Sequence, residues 1–176
     1  MKRLILCIFF LTLGTLTMAQ NEAYPIIQGY GSIIEMPFEV INPDPNLDYK
    51  LLAEAYQGQE DKSELYGMLD YFARVINAHA YAGVPDEKFN MAVVLFSGSA
   101  YTILNNEEYN KRFGMDNPNL ELFQRLQEAG VDVFVCGQSM MKQDMLPENI
   151  AEGIKIGSSR ITISSELRTR GYVSIF

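Results

Sequence analysis

From residue 50 onward the apolar positions switch repeatedly between strand-like and helical spacing. Lys50 to Tyr56 (KLLAEAY) reads as a strand that exits at Gln57-Gly58-Gln59. Asp61 followed by Glu64 has the spacing of a capping box. Leu65, Met68, Leu69, Phe72, Val75, Ile76 and His79 then recur at helical intervals as far as Gly83-Val84-Pro85. Phe89 to Phe96 (FNMAVVLF) is almost continuously apolar, as in a strand covered on both faces, and Ser97-Gly98-Ser99 ends it. Asn117-Pro118 supplies an N-cap and a first-turn proline for a helix whose apolar face carries Leu120, Phe123, Leu126 and Ala129, with Gly130 closing it. Val131 to Cys136 (VDVFVC) is a third strand, ended by Gly137-Gln138-Ser139. Ile154 to Ile156 is a short fourth, followed by Gly157-Ser158-Ser159, which caps a helix over Ile161 to Arg170. Gly171 stops that helix, and Tyr172 to Phe176 (YVSIF) is the fifth strand.

Strands alternating with helices imply βαβ units, hence an α/β fold with a mostly parallel five-stranded sheet and helices on both faces. Residues 20–46 are different: Pro25, Gly29, Gly31, Pro37, Pro43 and Pro45 interrupt the short apolar pieces Ile26-Ile27 and Ile33-Ile34, which predicts an N-terminal arm or hairpin. Gly29-Tyr30-Gly31 opens no helix and is no dinucleotide fingerprint. There is no internal repeat and no low-complexity tract.

The first residues change the picture of where the protein works. Lys2 and Arg3 precede an apolar run from Leu4 to Leu13 and a Thr17-Met18-Ala19 ending, the layout of a secretory signal peptide over residues 1–19. Cleavage after Ala19 leaves 157 of the 176 residues, starting at Gln20, in an exported, periplasmic or secreted protein. The formal charge of the full chain is −8, and loss of Lys2 and Arg3 makes it −10. Such an acidic balance argues against nucleic acid and anionic membrane surfaces, and no second apolar segment approaches spanning length.

Removal of the signal also removes Cys7, so Cys136 becomes the single thiol of the mature chain and no internal disulfide can form. An unpaired cysteine in an exported protein is buried and inert, bonded to another chain, or reactive. Its position bears on that choice. In open parallel sheets ligands bind outside the carboxyl ends of the strands, and four exits here carry glycine beside small polar residues. Around Cys136 the candidate ligand-binding residues are Gly137, Gln138 and Ser139, and from the neighbouring exit Ser97, Gly98 and Ser99. A short helix beginning near Gln138 would favour a thiolate, with Lys142 adding positive charge.

The stretch "NPNLELFQRLQEAGVDVFVCGQS", with "MAVVLFSGSAY" before it and "IKIGSSRITISSELRTRGYVSIF" after it, resembles the DsrE family of sulfur-relay and sulfur-oxidation proteins over about residues 47–176. The resemblance implies a three-layer α/β/α fold, homo-oligomers, and a cysteine that carries sulfur as a persulfide; by matching position that cysteine is Cys136. It also implies a sulfur donor or acceptor protein, or a small thiol, as partner. Two departures stand out. Many members carry histidine before the glycine of the second strand's exit, where this chain has Ser97, and relay members work in the cytoplasm.

Other chemistry is poorly supplied. One cysteine and one histidine build no typical zinc site, and Gly-x-Ser-x-Gly, Walker and Cys-x-x-Cys motifs are absent, so no metal or cofactor is expected. His79, on the apolar face of the first helix, is expected to be structural, and Met140, Met141 and Met145 to fill gaps. Two readings remain: a sulfur-handling protein acting through Cys136, or a non-catalytic small-ligand-binding or assembly module of the cell envelope with a packed, inert Cys136.

Overall fold

The computed structural model describes residues 21–175. The segment read as a signal peptide, with its cleavage point, lies outside the described residues. The arm forms a two-stranded antiparallel hairpin, β1 (Glu22–Ala23) and β2 (Ile33–Ile34). It is pinned to the body by Asn77, whose buried amide accepts from the N–H of Ile26 and Ile27 at 2.9 and 2.8 Å and donates to the carbonyls of Tyr30 and Gly31 at 2.9 and 3.0 Å.

The body runs β3 (Tyr49–Ala55), α1 (Gly67–Tyr81), β4 (Phe89–Leu95), a 3-10 turn over Ser97–Ile103, α2 (Asn106–Phe113), α3 (Leu120–Glu128), β5 (Asp132–Cys136), α4 (Gly137–Lys142), β6 (Lys155–Gly157), α5 (Arg160–Thr169) and β7 (Val173–Ser174). All pairings in the five-stranded sheet are parallel, in the order β6-β5-β4-β3-β7. The chain lays down β3 to β6 in one direction and then returns to the opposite edge for β7. Right-handed crossovers put the helices of an outward run on one face and the helix of the return on the other. Residue alternation along the strands agrees. Leu51, Ala53, Met91, Val93, Val133 and Val135 join the core with Leu69, Phe72, Phe123, Leu126 and Met140 from α1, α3 and α4. Leu52, Ala92 and Val94 face Ile163 and Leu167 of α5. The three-layer α/β/α arrangement is thus present, with α5 as the sole helix of its layer among the described residues.

Several local expectations are corrected. The first helix begins at Gly67, not Asp61, because Asp61 accepts from Ser63 N and Oγ at 2.8 and 2.7 Å and closes a local turn instead. Tyr66 N then donates to buried Asn119 at 2.8 Å, so tertiary contact rather than a local cap sets the helix start. Asn119 directly precedes α3, and Asn117 caps the turn that leads into it: its Oδ1 accepts from Asn119 N at 3.0 Å, while its Nδ2 donates to the carbonyls of Thr102 and Leu104 at 2.8 and 2.6 Å and ties the preceding loop to that helix. The helix α2 has no counterpart in the elements that the apolar pattern predicts, and the fifth strand shrinks to Val173–Ser174.

Candidate functional site

Adjacent strands β5 and β6 send their exits to opposite faces of the sheet, β5 into α4 and β6 into α5. That divergence is the topological switch point at which open α/β sheets leave a crevice. Cys136 is the last residue of β5 and pairs with Gly157, the last of β6. The two exits approach closely: a Cβ on Gly137 would stand 2.9 Å from the Gly157 carbonyl oxygen, so glycine is required for them to sit side by side. The thiol therefore lies between the N-terminal turns of two helices.

Cys136 is 5% exposed. Burial pushes its thiol up, but the Ser139 hydroxyl and the backbone N–H groups of Arg160, Ser139 and Gln138 outweigh burial, and the thiol stands below its ordinary value. Donors fixed by backbone geometry stabilise a thiolate without a partner base. The expected helix after Cys136 is present as α4, while Lys142 sits in its last turn, at the end away from the thiol.

The Ser97 exit reaches the site through Ser139. Ser97 N donates to Ser139 Oγ at 2.8 Å, and the Ser97 carbonyl accepts from Gln143 Nε2 at 2.8 Å, so α4 is tied at both ends to the turn after β4. Ser97 adopts φ 54°, a left-handed conformation uncommon for a residue with a side chain. Gly98 packs backbone to backbone on Gly58, at the exit of β3; a Cβ there would lie 2.6 Å from Gly58 N. Ser99 is fully buried and its hydroxyl bridges Phe96 N and the Ala55 carbonyl, so it ties the turn after β4 to the end of β3. Gln138 is exposed at its mouth.

Sequence reasoning missed the residues on the α5 side. Along β5, Phe134 faces α5, so Cys136, two residues on, shares that face. The β4–β5 register, Leu95 with Val135, places Phe96 beside Cys136, and the β3–β4 register places Tyr56 beside Phe96, with ring centres 6.1 Å apart. Arg160, at the start of α5, lays its guanidinium over Phe96 at 4.9 Å. Tyr56 is 58% exposed, and Ile161, the residue after Arg160, is 70% exposed. Alternation within each strand was readable, but the register that aligns Tyr56, Phe96 and Cys136 was not.

His79 lies at the other edge. It packs between Tyr49 and Phe89, the first residues of β3 and β4, at ring-centre distances of 5.6 and 4.9 Å, and its Nδ1 donates to the Val75 carbonyl at 2.7 Å. The structure therefore brings no imidazole to Cys136. Among the described residues no group of His, Cys, Asp and Glu side chains is arranged to hold a metal, and no helix is long and apolar enough to cross a membrane.

No curated protein matches the chain. Among solved structures, the protein of unknown function MTH1491 from Methanobacterium thermoautotrophicum is similar, with 20% identity and a TM-score of 0.52 over 73% of this chain and 98% of that one. At that identity the likeness speaks for the fold. The family model for DsrE/DsrF-like proteins matches residues 43–168, the span from the approach to β3 almost to the end of α5 that contains every residue of the crevice, and the chain belongs to the DsrE/DsrF-like family.

Proposed function

We propose that the protein handles sulfur outside the cytoplasm, with Cys136 accepting a sulfane sulfur and carrying it as a persulfide. The observation that carries this reading is the position of the thiol at the switch point, where the N–H groups of two helix starts and the Ser139 hydroxyl hold it below its ordinary value. The same donors are suited to the negative charge of a persulfide. Family membership supports sulfur-relay chemistry, and the charged start, apolar run and Thr17-x-Ala19 ending support export. With no second cysteine in the mature chain, the persulfide is passed to another molecule, protein or small thiol, or is reset by an external reductant. A homo-oligomer is part of the proposal and rests on family likeness.

The test is sulfur loading from a persulfide donor, read by intact-protein mass spectrometry on the wild type and on Cys136→Ser. The wild type should gain sulfur on Cys136 and the variant none. Equal loading would refute the reading. One observation favours the alternative, a ligand-binding or assembly module with an inert cysteine: the thiol is 5% exposed. A Cys136 that resists both loading and alkylation in the folded protein would support it. N-terminal analysis of protein from its host should give Gln20, and an intact Met1 on soluble protein would remove the export argument.

A further inference from the structure

Arg160 meets the thiol through its backbone N–H, while its side chain is left with unspent chemistry. The guanidinium stacks on Phe96, the neighbour of Cys136 on the adjoining strand. Paired strands run about 4.8 Å apart, so the cation overhangs the flank of the thiol. Its ion-pair contact, to Glu54 Oε1, is long at 3.4 Å. Glu54 is satisfied without it, since Arg168 Nη2 lies 2.9 Å from Oε2 and the Ser164 hydroxyl donates to Oε1 at 2.8 Å. Two guanidinium groups thus face one carboxylate, and one positive charge is left over beside the crevice. A guanidinium offers five donors, and Arg160, its side chain 40% exposed, uses one of them on Glu54. In a chain whose formal charge is −8, a local cation against an aromatic wall is what lets an anion approach a thiolate.

We infer that Arg160 selects the sulfur donor: a small molecule with an anionic head group, carboxylate or oxyanion, whose sulfane sulfur is presented to Cys136. The inference rests on the reading of Cys136 as a sulfur acceptor. The head group pairs with the free guanidinium donors and the Phe96–Tyr56 wall excludes water. In the step itself the Cys136 thiolate attacks the outer sulfur of R–S–SH; a new S–S bond forms to Cys136, the donor's own S–S bond breaks, and R–S⁻ leaves with the electron pair while the outer sulfur keeps its proton as Cys136–S–SH. With thiosulfate the leaving group is sulfite. Neither route needs an added oxidant or reductant.

The experiment compares sulfur loading of Cys136 from glutathione persulfide, from thiosulfate, and from the persulfide of N-acetylcysteine methyl ester, the donor whose head group is uncharged. Arg160→Met retains the backbone N–H that meets the thiol. It should lower kcat/KM for the anionic donor roughly 10- to 100-fold, chiefly through KM, and leave the uncharged donor unchanged. Whether glutathione persulfide or thiosulfate suffers more separates a carboxylate from an oxyanion head group. Arg168→Met, which leaves Arg160 as the one guanidinium beside Glu54, should weaken the preference for anionic donors in the same direction but less than Arg160→Met does. Equal losses on charged and uncharged donors would overturn the assignment and make Arg160 a structural residue. Failure of the wild type to acquire sulfur from any donor would instead overturn the reading of Cys136 and this inference with it.

Discussion

Replacing Gly98 by alanine should damage both stability and the geometry of the site, through its close approach to the Gly58 backbone. The residue does not have a positive φ, so alanine is acceptable to its own backbone and would, other things equal, stabilise by about 0.4–1 kcal/mol through the unfolded chain. Its Cβ, however, would stand 2.6 Å from Gly58 N and 3.0 Å from Gly58 Cα. Those are backbone atoms that no rotamer change can move aside, so the exits of β3 and β4 must separate by several tenths of an ångström. Overpacking of this kind costs about 1–3 kcal/mol, which outweighs the entropic gain. The net loss of about 1–2 kcal/mol corresponds to a fall in Tm of roughly 2–8 °C for a chain of this size. Because Ser97 N holds Ser139, the displacement should also slow alkylation of Cys136. Gly67→Ala is the control: nothing lies within 4 Å of its Cβ position at the start of α1, and it should be neutral or stabilising. Thermal unfolding followed by circular dichroism, with iodoacetamide rates at fixed pH, reads both effects. A Gly98→Ala protein as stable and as reactive as the wild type would refute the reasoning.

Alkylation of Cys136 should rise with pH through a single ionisation centred below the ordinary free-cysteine value of about 8.5, and Ser139→Ala should move that midpoint upward; a second inflection in the histidine range would contradict the absence of an imidazole partner. The Glu108 carboxylate, held below its ordinary value of about 4.5 chiefly by the Arg112 hydrogen bond at 2.6 Å, contributes stability at neutral pH that is lost as pH falls through that ordinary value toward the depressed folded one. Urea midpoints of the wild type and Glu108→Gln should therefore converge in acid, and a constant gap would count against the assignment. Asn77→Ala leaves the buried N–H of Ile27 without a partner and should cost about 2–4 kcal/mol, with limited proteolysis now cutting within residues 24–36; unchanged protection of the arm would refute its anchoring role.

How much of this was readable beforehand follows the physics of each element. The strands β3, β4 and β5 are buried on both faces, so their apolar runs stand out in the sequence; β7, two residues on an edge, does not. The polar sequence NEEYNKRF of α2 hid a helix that hangs on one fully buried residue, Tyr109, although Asn105 with Glu108 three residues on was a legible capping signal and does cap it, at 2.9 Å. At the site, Cys136, Ser139 and the Ser97 exit could be named because glycine-bearing strand exits are local features. Arg160, Phe96 and Tyr56 could not, since their proximity to the thiol depends on strand register and on α5 crossing the opposite face. The helix start at Gly67 failed for the same reason: Asn119, some fifty residues away in sequence, supplies the hydrogen bond that a local cap would have given.

A thiolate can be maintained in two physically distinct ways. An imidazole partner takes the proton and leaves an ion pair whose reactivity depends on two titrations; a ring of fixed N–H and O–H donors lowers the free energy of the anion and leaves the proton to solvent. With His79 held at the amino edge of the sheet by Val75, Tyr49 and Phe89, Cys136 is confined to the second way. That arrangement suits a carrier more than a hydrolase. The donors stabilise a negative charge on Cys136 and serve an equivalent charge on an attached sulfur, yet supply no general acid to expel a poor leaving group such as an amine. Under the proposed function, the sulfur compounds that would serve Cys136 are those whose leaving group departs as a stable anion without a proton, a thiolate or sulfite. The chemistry at the thiol and the unspent cation of Arg160 converge on the same class of anionic sulfur compound.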